Sequence, residues 1–199
     1  MAELVLRSTL ETLMMALAGT ALAVLIALPL GFLAASNVTP AWLSHGVKWI
    51  LGLIRSIPLI VVGMVLVTAV GLGPFPGALA IAFHSVGMLG KFFAEEFETA
   101  DEGILQAVRG TGANWSQTLR YGLVPQSVPQ IVAFIVFRLE MNFRDAAVLG
   151  LVGAGGIGYY IQLYVRGFQY EKVTVLLLTI VVVVTMLDQF TYWIRKWVR

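Results

Sequence analysis

The placement of charge constrains this chain more than any other feature. Between Glu11 and Lys48 lie 36 residues, Thr12 to Val47, without a single Asp, Glu, Lys or Arg, and Ser56 to Gly90 adds a second such run of 35. Ala146 to Val165 and Val173 to Leu187 contribute further charge-free runs of 20 and 15. A helix needs about 20 predominantly apolar residues to cross a bilayer, so these runs read as membrane spans. Composition agrees: 59% of the 199 residues are hydrophobic and 12% charged, whereas about 25% is charged in a soluble domain. The fold class that follows is all-α, a polytopic membrane helical bundle of about five transmembrane helices in one domain, residues 1–199. A soluble enzyme is excluded. With no cysteine, disulfides and thiolate metal sites are excluded too, and a net charge of +2 is too small to mark nucleic acid as a partner.

Five spans are predicted. The first runs from about Leu6 to Ala35 and is longer than a bilayer requires, so it is tilted or partly interfacial. It does not read as a cleavable signal, because Glu3, Arg7 and Glu11 crowd its start and its apolar run far exceeds the roughly 7–15 residues of a signal core. The second covers about Val47 to Val70, with Arg55 near its start, placed to snorkel to the interface, and Pro58 as a kink. The third covers about Gly77 to Phe97, and Lys91–Glu95 is predicted as a local pair at its end. A polar loop, Glu98 to Gln130, precedes the fourth span, about Ile131 to Leu151. The fifth runs from about Val173 to Trp193 and closes on Trp193, Arg195, Lys196, Trp197 and Arg199, the aromatic and basic pattern of an interface anchor. With the N-terminus outside, six cationic residues (Lys48, Arg109, Arg120, Arg195, Lys196, Arg199) face the cytoplasm and three (Arg7, Arg166, Lys172) face out. The positive-inside rule favours that orientation, which puts the C-terminus and the long polar loop in the cytoplasm.

Within the loop, Ile104, Leu105 and Val108 have the spacing of one helix face, and Gly110 and Gly112 interrupt it. A second helical stretch, about Ser116 to Leu123, is predicted to end before Pro125. Two short helices around a glycine hinge suit docking to another protein better than chemistry.

The fourth span carries Arg138, Glu140, Arg144 and Asp145, with Asn142 among them. Charges in a span are expensive and face a bundle interior or a wet cavity. Glu140 and Arg144 stand at i, i+4, and Arg138 and Asp145, seven apart, share a face. Three readings are open: two mutually neutralising pairs that fix packing, arginines lining the route of an anionic substrate, or interfacial charges outside the hydrocarbon. A guanidinium offers forked donors that match an oxyanion, and Arg144, deeper in the span, is the favoured pathway residue. His84, with Ser85 beside it, is either a satisfied interior histidine or a substrate contact. Asp188 in the last span stands seven residues before Arg195, a spacing that offers a pair, and its role is left open. Tyr159, Tyr160, Tyr164 and Phe168 form an outer aromatic segment.

Gly153, Gly155 and Gly158 satisfy G-x-G-x-x-G, but a dinucleotide fingerprint needs a preceding strand and an acidic residue about 20 positions on. Here an apolar span precedes it. Gly153, Gly155, Gly156 and Gly158 are instead predicted to mark a helix break or a close helix–helix contact. No G-x-x-x-x-G-K-[ST] phosphate loop is present, so ATP hydrolysis would require a separate subunit.

The loop resembles a family. Permease subunits of binding-protein-dependent ABC importers, type I, carry Glu-Ala-Ala, three residues, Gly, nine residues, then Ile-x-Leu-Pro. Gln106-Ala107-Val108, Gly112 and Gly122-Leu123-Val124-Pro125 fall at those places without a gap, with Gln for Glu, Val for the second Ala and Gly for Ile. Arg55-Ser56-Ile57-Pro58 resembles a motif of the same class. Ala82 to Glu95, and Phe137 to Arg144 followed by Ala147 to Gly158, are similar to the phosphonate-uptake branch. The resemblance implies a coupling helix at Leu105, Gln106, Ala107, Val108, Arg109, Gly112, Ala113 and Pro125. It implies a substrate pathway near Arg144, Arg138, Glu140, Asn142, His84 and Ser85. It also implies a second permease copy, two ATP-binding subunits that hold ATP and Mg, an extracytoplasmic substrate-binding protein, and a bacterial inner membrane around the spans. The chain itself is expected to bind no cofactor or metal. Phosphonate or a related phosphorus oxyanion is the expected substrate, with methionine or phosphate as alternatives in the class. An ion-coupled secondary transporter is a further alternative, but such transporters usually show internal repeats, and none is visible.

Overall fold

The computed structural model describes residues 1–198, excepting the side chains of Arg195, Trp197 and Val198. Parts of the basic and aromatic ending, Arg195, Trp197 and Arg199, thus lie outside the described residues. The chain folds as helices α1 (Ala2–Ala34), α2 (Ala41–Ser56), α3 (Leu59–Val70), α4 (Pro74–Glu98), α5 (Glu102–Gly110), α6 (Trp115–Thr118), α7 (Val124–Leu149), α8 (Gly156–Arg166) and α9 (Tyr170–Val198). Among the described residues, four helical stretches are long and apolar enough to cross a membrane, and α2 with α3 makes a fifth, bent by 80°. The five spans predicted are therefore present, with shifted ends.

The second span is where the shift matters most. Helix begins at Ala41 rather than Val47 and breaks at Ile57, which is extended at φ −81°, ψ 122°. Proline disfavours the helical region for the residue before it and has no N–H to continue the ladder, so Pro58 turns a kink into a corner. Arg55 ends up exposed in the last turn of α2, beside that corner, rather than at the start of the span.

The opposite outcome holds at Pro125. The stretch from Ser116 does not stop there; helix continues from Trp115 through a wide turn, Leu119–Leu123, into α7. The Val124 amide donates to the Leu119 carbonyl, an i→i−5 bond. Such a π turn accommodates a missing donor without breaking the axis. The polar loop is consequently shorter than its predicted span, with α7 starting at Val124 instead of about Ile131.

Packing centres on α4, which touches α1, α2, α3 and α7. The α1–α4 seam is built from small residues: Ala16, Ala23, Ala27, Ala34, Ala80 and Ala94 are fully buried. A Cβ on Gly19 would stand 2.9 Å from the Ala78 carbonyl oxygen, so the backbones there meet with no room for a side chain. In a bilayer, where lipid is as apolar as leucine, close backbone approach of this kind supplies the association energy.

Candidate functional site

At the end of the bundle where α4 stops, Asp101 caps α5 by accepting from the Gly103 amide at 2.7 Å. Leu105 turns inward, 7% exposed, and a side chain at Gly122 would collide with it. The place where the family pattern has Ile is therefore the seat of Leu105. Ile104 does not share that face; it is exposed, with Val108 half-buried. Gln106, Ala107, Arg109 and Gly112 face solvent, Ala113 is half-buried, and Pro125 is exposed at the start of α7. Gly112 adopts φ +83°, a conformation that glycine reaches without a Cβ clash, and turns the chain into α6. There Asn114 and Gln117 form a reciprocal capping box at 2.8 and 2.9 Å. Val108, Thr111, Gly112, Ala113, Gln117 and Tyr121 line a concavity of about 500 Å³. Gln126 of α7 latches the unit, accepting from the Asp101 amide at 2.9 Å and donating to the Gly122 carbonyl at 2.8 Å.

Along α7 stand two charged clusters, one buried and one partly exposed. Arg138 is 3% exposed. Its Nε donates to Ser85 Oγ at 3.0 Å, one Nη bonds His84 Nδ1 at 3.0 Å and Asp145 Oδ2 at 3.1 Å, and the other meets Met88 Sδ at 3.4 Å. Ser85 passes the chain on to Asn142 Oδ1 at 3.0 Å, and Asn142 Nδ2 donates to Thr20 Oγ1 at 2.8 Å. Three spans, α1, α4 and α7, are thus joined by one polar chain. The second cluster holds Arg144, which donates to Glu140 at 2.7 Å and to Asp188 of α9 at 3.0 Å. Both i, i+4 and i, i+7 pairs are formed. Asp188 meets Arg144 of α7; the side chain of Arg195, its predicted partner, lies outside the described residues.

The glycine segment forms the break between α7 and α8. Gly153, Gly155 and Gly156 have φ of +99°, +82° and +65°. Gly158 packs on Gly150, and a Cβ there would run into the Ala147 carbonyl oxygen. The amides opening α8 are taken by α1: Gly156 donates to Glu11 at 3.3 Å and Ile157 to Thr12 Oγ1 at 2.9 Å. No strand precedes this turn, as a dinucleotide site would require. In the aromatic segment of α8, Tyr159 meets Tyr160 edge to face and Lys172 lies 5.0 Å over the Tyr164 ring. Among the described residues, no group of three His, Asp or Glu side chains has the arrangement of a metal site. Sequence reasoning missed the Thr20 contact, the Glu11 and Thr12 caps and the Gln126 latch, because none of them leaves a local spacing signal.

The described fold is a helical bundle of candidate membrane spans with a helix pair standing off one end. The family model described as "Binding-protein-dependent transport system inner membrane component" matches residues 27–199. The chain belongs to this family, the permease subunits of ABC importers, which are transport components rather than enzymes. It is 44% identical over 96% of its length to the phosphite transport system permease protein PtxC of Stutzerimonas stutzeri, of which it covers 70%. It is 41% identical over 94% of its length to the phosphate-import permease protein PhnE of Mycolicibacterium smegmatis, of which it covers 35%. The fold matches a chain of the inward-facing MetNI methionine ABC transporter with a TM-score of 0.87 at 22% identity, covering 98% of this chain and 96% of that one.

Proposed function

We propose that this chain forms the translocation pathway for phosphonate or a related phosphorus oxyanion by alternating access. The observation that carries the reading is the α5–Gly112–α6 unit: the coupling pattern folds into a capped, solvent-facing helix pair latched to α7. Two copies around a two-fold axis enclose a pathway that five spans alone are few to form. An extracytoplasmic binding protein delivers substrate, and two ATP-binding subunits, holding ATP and Mg, dock on the coupling loops. Their closure pushes the loops near Gly112 and turns the pathway outward; hydrolysis returns it. The chain lies in a bacterial inner membrane with its N-terminus outside and C-terminus in the cytoplasm. The 44% and 41% identities to phosphite and phosphate permeases favour a phosphorus oxyanion over methionine as cargo.

The test is reconstitution of the chain in vesicles with its candidate ATP-binding and solute-binding partners, using phosphite and methylphosphonate as probes and methionine as control. Gly112→Pro forces φ to about −65° where the chain needs +83°, and Arg109→Glu reverses a charge on the docking face. Both are expected to uncouple hydrolysis from uptake. ATP-binding subunit docking and uptake unaffected by both changes would sink the coupling assignment. Uptake of methionine alone would overturn the cargo.

A further inference from the structure

Where α4 ends, one carboxylate oxygen gathers three donors. Glu98 Oε1 accepts from the Ser36 amide, the Ser36 hydroxyl and Lys48 Nζ, each at 2.7 Å. Immediately before it, the Phe97 carbonyl accepts from Asn37 Nδ2 at 2.6 Å, and the Phe97 ring stacks on Phe32 of α1 at 4.1 Å between centroids. Ser36 and Asn37 belong to the turn after α1, and Lys48 to α2. That corner is itself stapled, since Ser44 of α2 donates to the last-turn carbonyl of Ala34 at 2.5 Å. Three residues, Thr99, Ala100 and Asp101, then lead into α5. A tether that short spans about 10 Å at full extension, so α5 cannot move far without pulling on Glu98.

We propose that Glu98 is a positioning residue for transport: it hands motion of the α5 coupling helix to the α1–α2 corner. The proposal rests on the coupling role given to α5 above and names the route by which that role reaches the spans. Gln126 of α7 holds the amide of Asp101, the residue that caps α5, so the start of the coupling helix is gripped from α7 as well as through Glu98. Of these, the Glu98 grip is charge-assisted, and hydrogen bonds with one ionised partner are roughly twice as strong as neutral ones. Without it, α5 would still dock and move, but its displacement would be absorbed in residues 99–101 instead of tilting α1 and α2. The pair with Lys48 is about one-quarter to one-third exposed.

Because the chain has no cysteine, a Ser36→Cys, Glu98→Cys double variant carries only the introduced thiols. Reconstituted with the ATP-binding and solute-binding subunits, it is expected to assemble and hydrolyse ATP, while phosphite uptake per ATP hydrolysed falls at least tenfold. Joining the two thiols with a short, reducible crosslinker is expected to restore most of that ratio, and reduction to lose it again. A merely structural contact would not respond to the crosslink in an already folded protein. Glu98→Gln, which keeps an acceptor for Ser36 but loses the Lys48 ion pair, should fall between the variant and the parent. An unchanged ratio in both variants overturns the proposal, and so does a lowered ratio that the formed crosslink fails to raise. Failure of the parent chain to couple hydrolysis to uptake would instead count against the function proposed above.

Discussion

Arg138 and Arg144 stand six residues apart on the same helix and meet opposite surroundings. Arg138 is sealed, with its guanidinium shared among Ser85, His84, Met88 and Asp145. The side chain of Arg144 is 39% exposed and faces two carboxylates, Glu140 and the 45%-exposed Asp188. The first cluster joins α4 and α7 through charge, and α1 through Asn142. The second joins α7 to α9, and its surface is still open to a ligand or a partner chain. One residue type in one span thus meets two environments, and burial separates them: Arg138 is sealed among protein partners, whereas Arg144, the favoured pathway residue of the sequence reading, stays open.

The comparison can be broken most severely at Arg138. Arg138→Leu strips Asp145 of its cation and Ser85 of a donor, and breaking a buried ion pair costs about 3–5 kcal/mol. The yield of monodisperse protein in size-exclusion chromatography should collapse, and a well-folded variant would show that the seal is not structural. Arg144→Leu comes next in size. Uptake of phosphite should drop at least tenfold while the amount of assembled transporter stays within about a factor of two of the parent. Equal loss of assembly would place Arg144 with Arg138 as a packing residue. The smallest effect is expected for Asp188→Asn, which leaves Glu140 to hold Arg144. Half-exposed pairs contribute about 0–1 kcal/mol, so a thermal unfolding midpoint shifted by more than a few degrees would show that α9 depends on the pair.

Legibility followed the range of the interaction. The Arg138–Asp145 and Glu140–Arg144 spacings were visible because helix periodicity brings such residues to one face. The partners that decide what each arginine does come from 44 to 54 residues away, and no local period encodes them. Proline shows a similar divide. Pro58 and Pro125 carry the same chemical defect, yet one makes an 80° corner and the other sits in a continuous helix. The difference is that Val124 finds an i→i−5 acceptor at Leu119, whereas Ile57 takes up an extended conformation.

Sequence alone determined the solvent and the class of fold, since charge-free runs of 35 and 36 residues cannot be solvated by water and must be helical in lipid, where every backbone group needs an internal partner. It also placed the coupling pattern, because that pattern is local. Tertiary structure decided which charges are sealed, which are open, and what grips α5. Those depend on Thr20, Ser36, Lys48, Ser85 and Asp188 arriving from other parts of the chain, and such arrivals are set by how small-residue seams let the spans approach, not by spacing along any one of them.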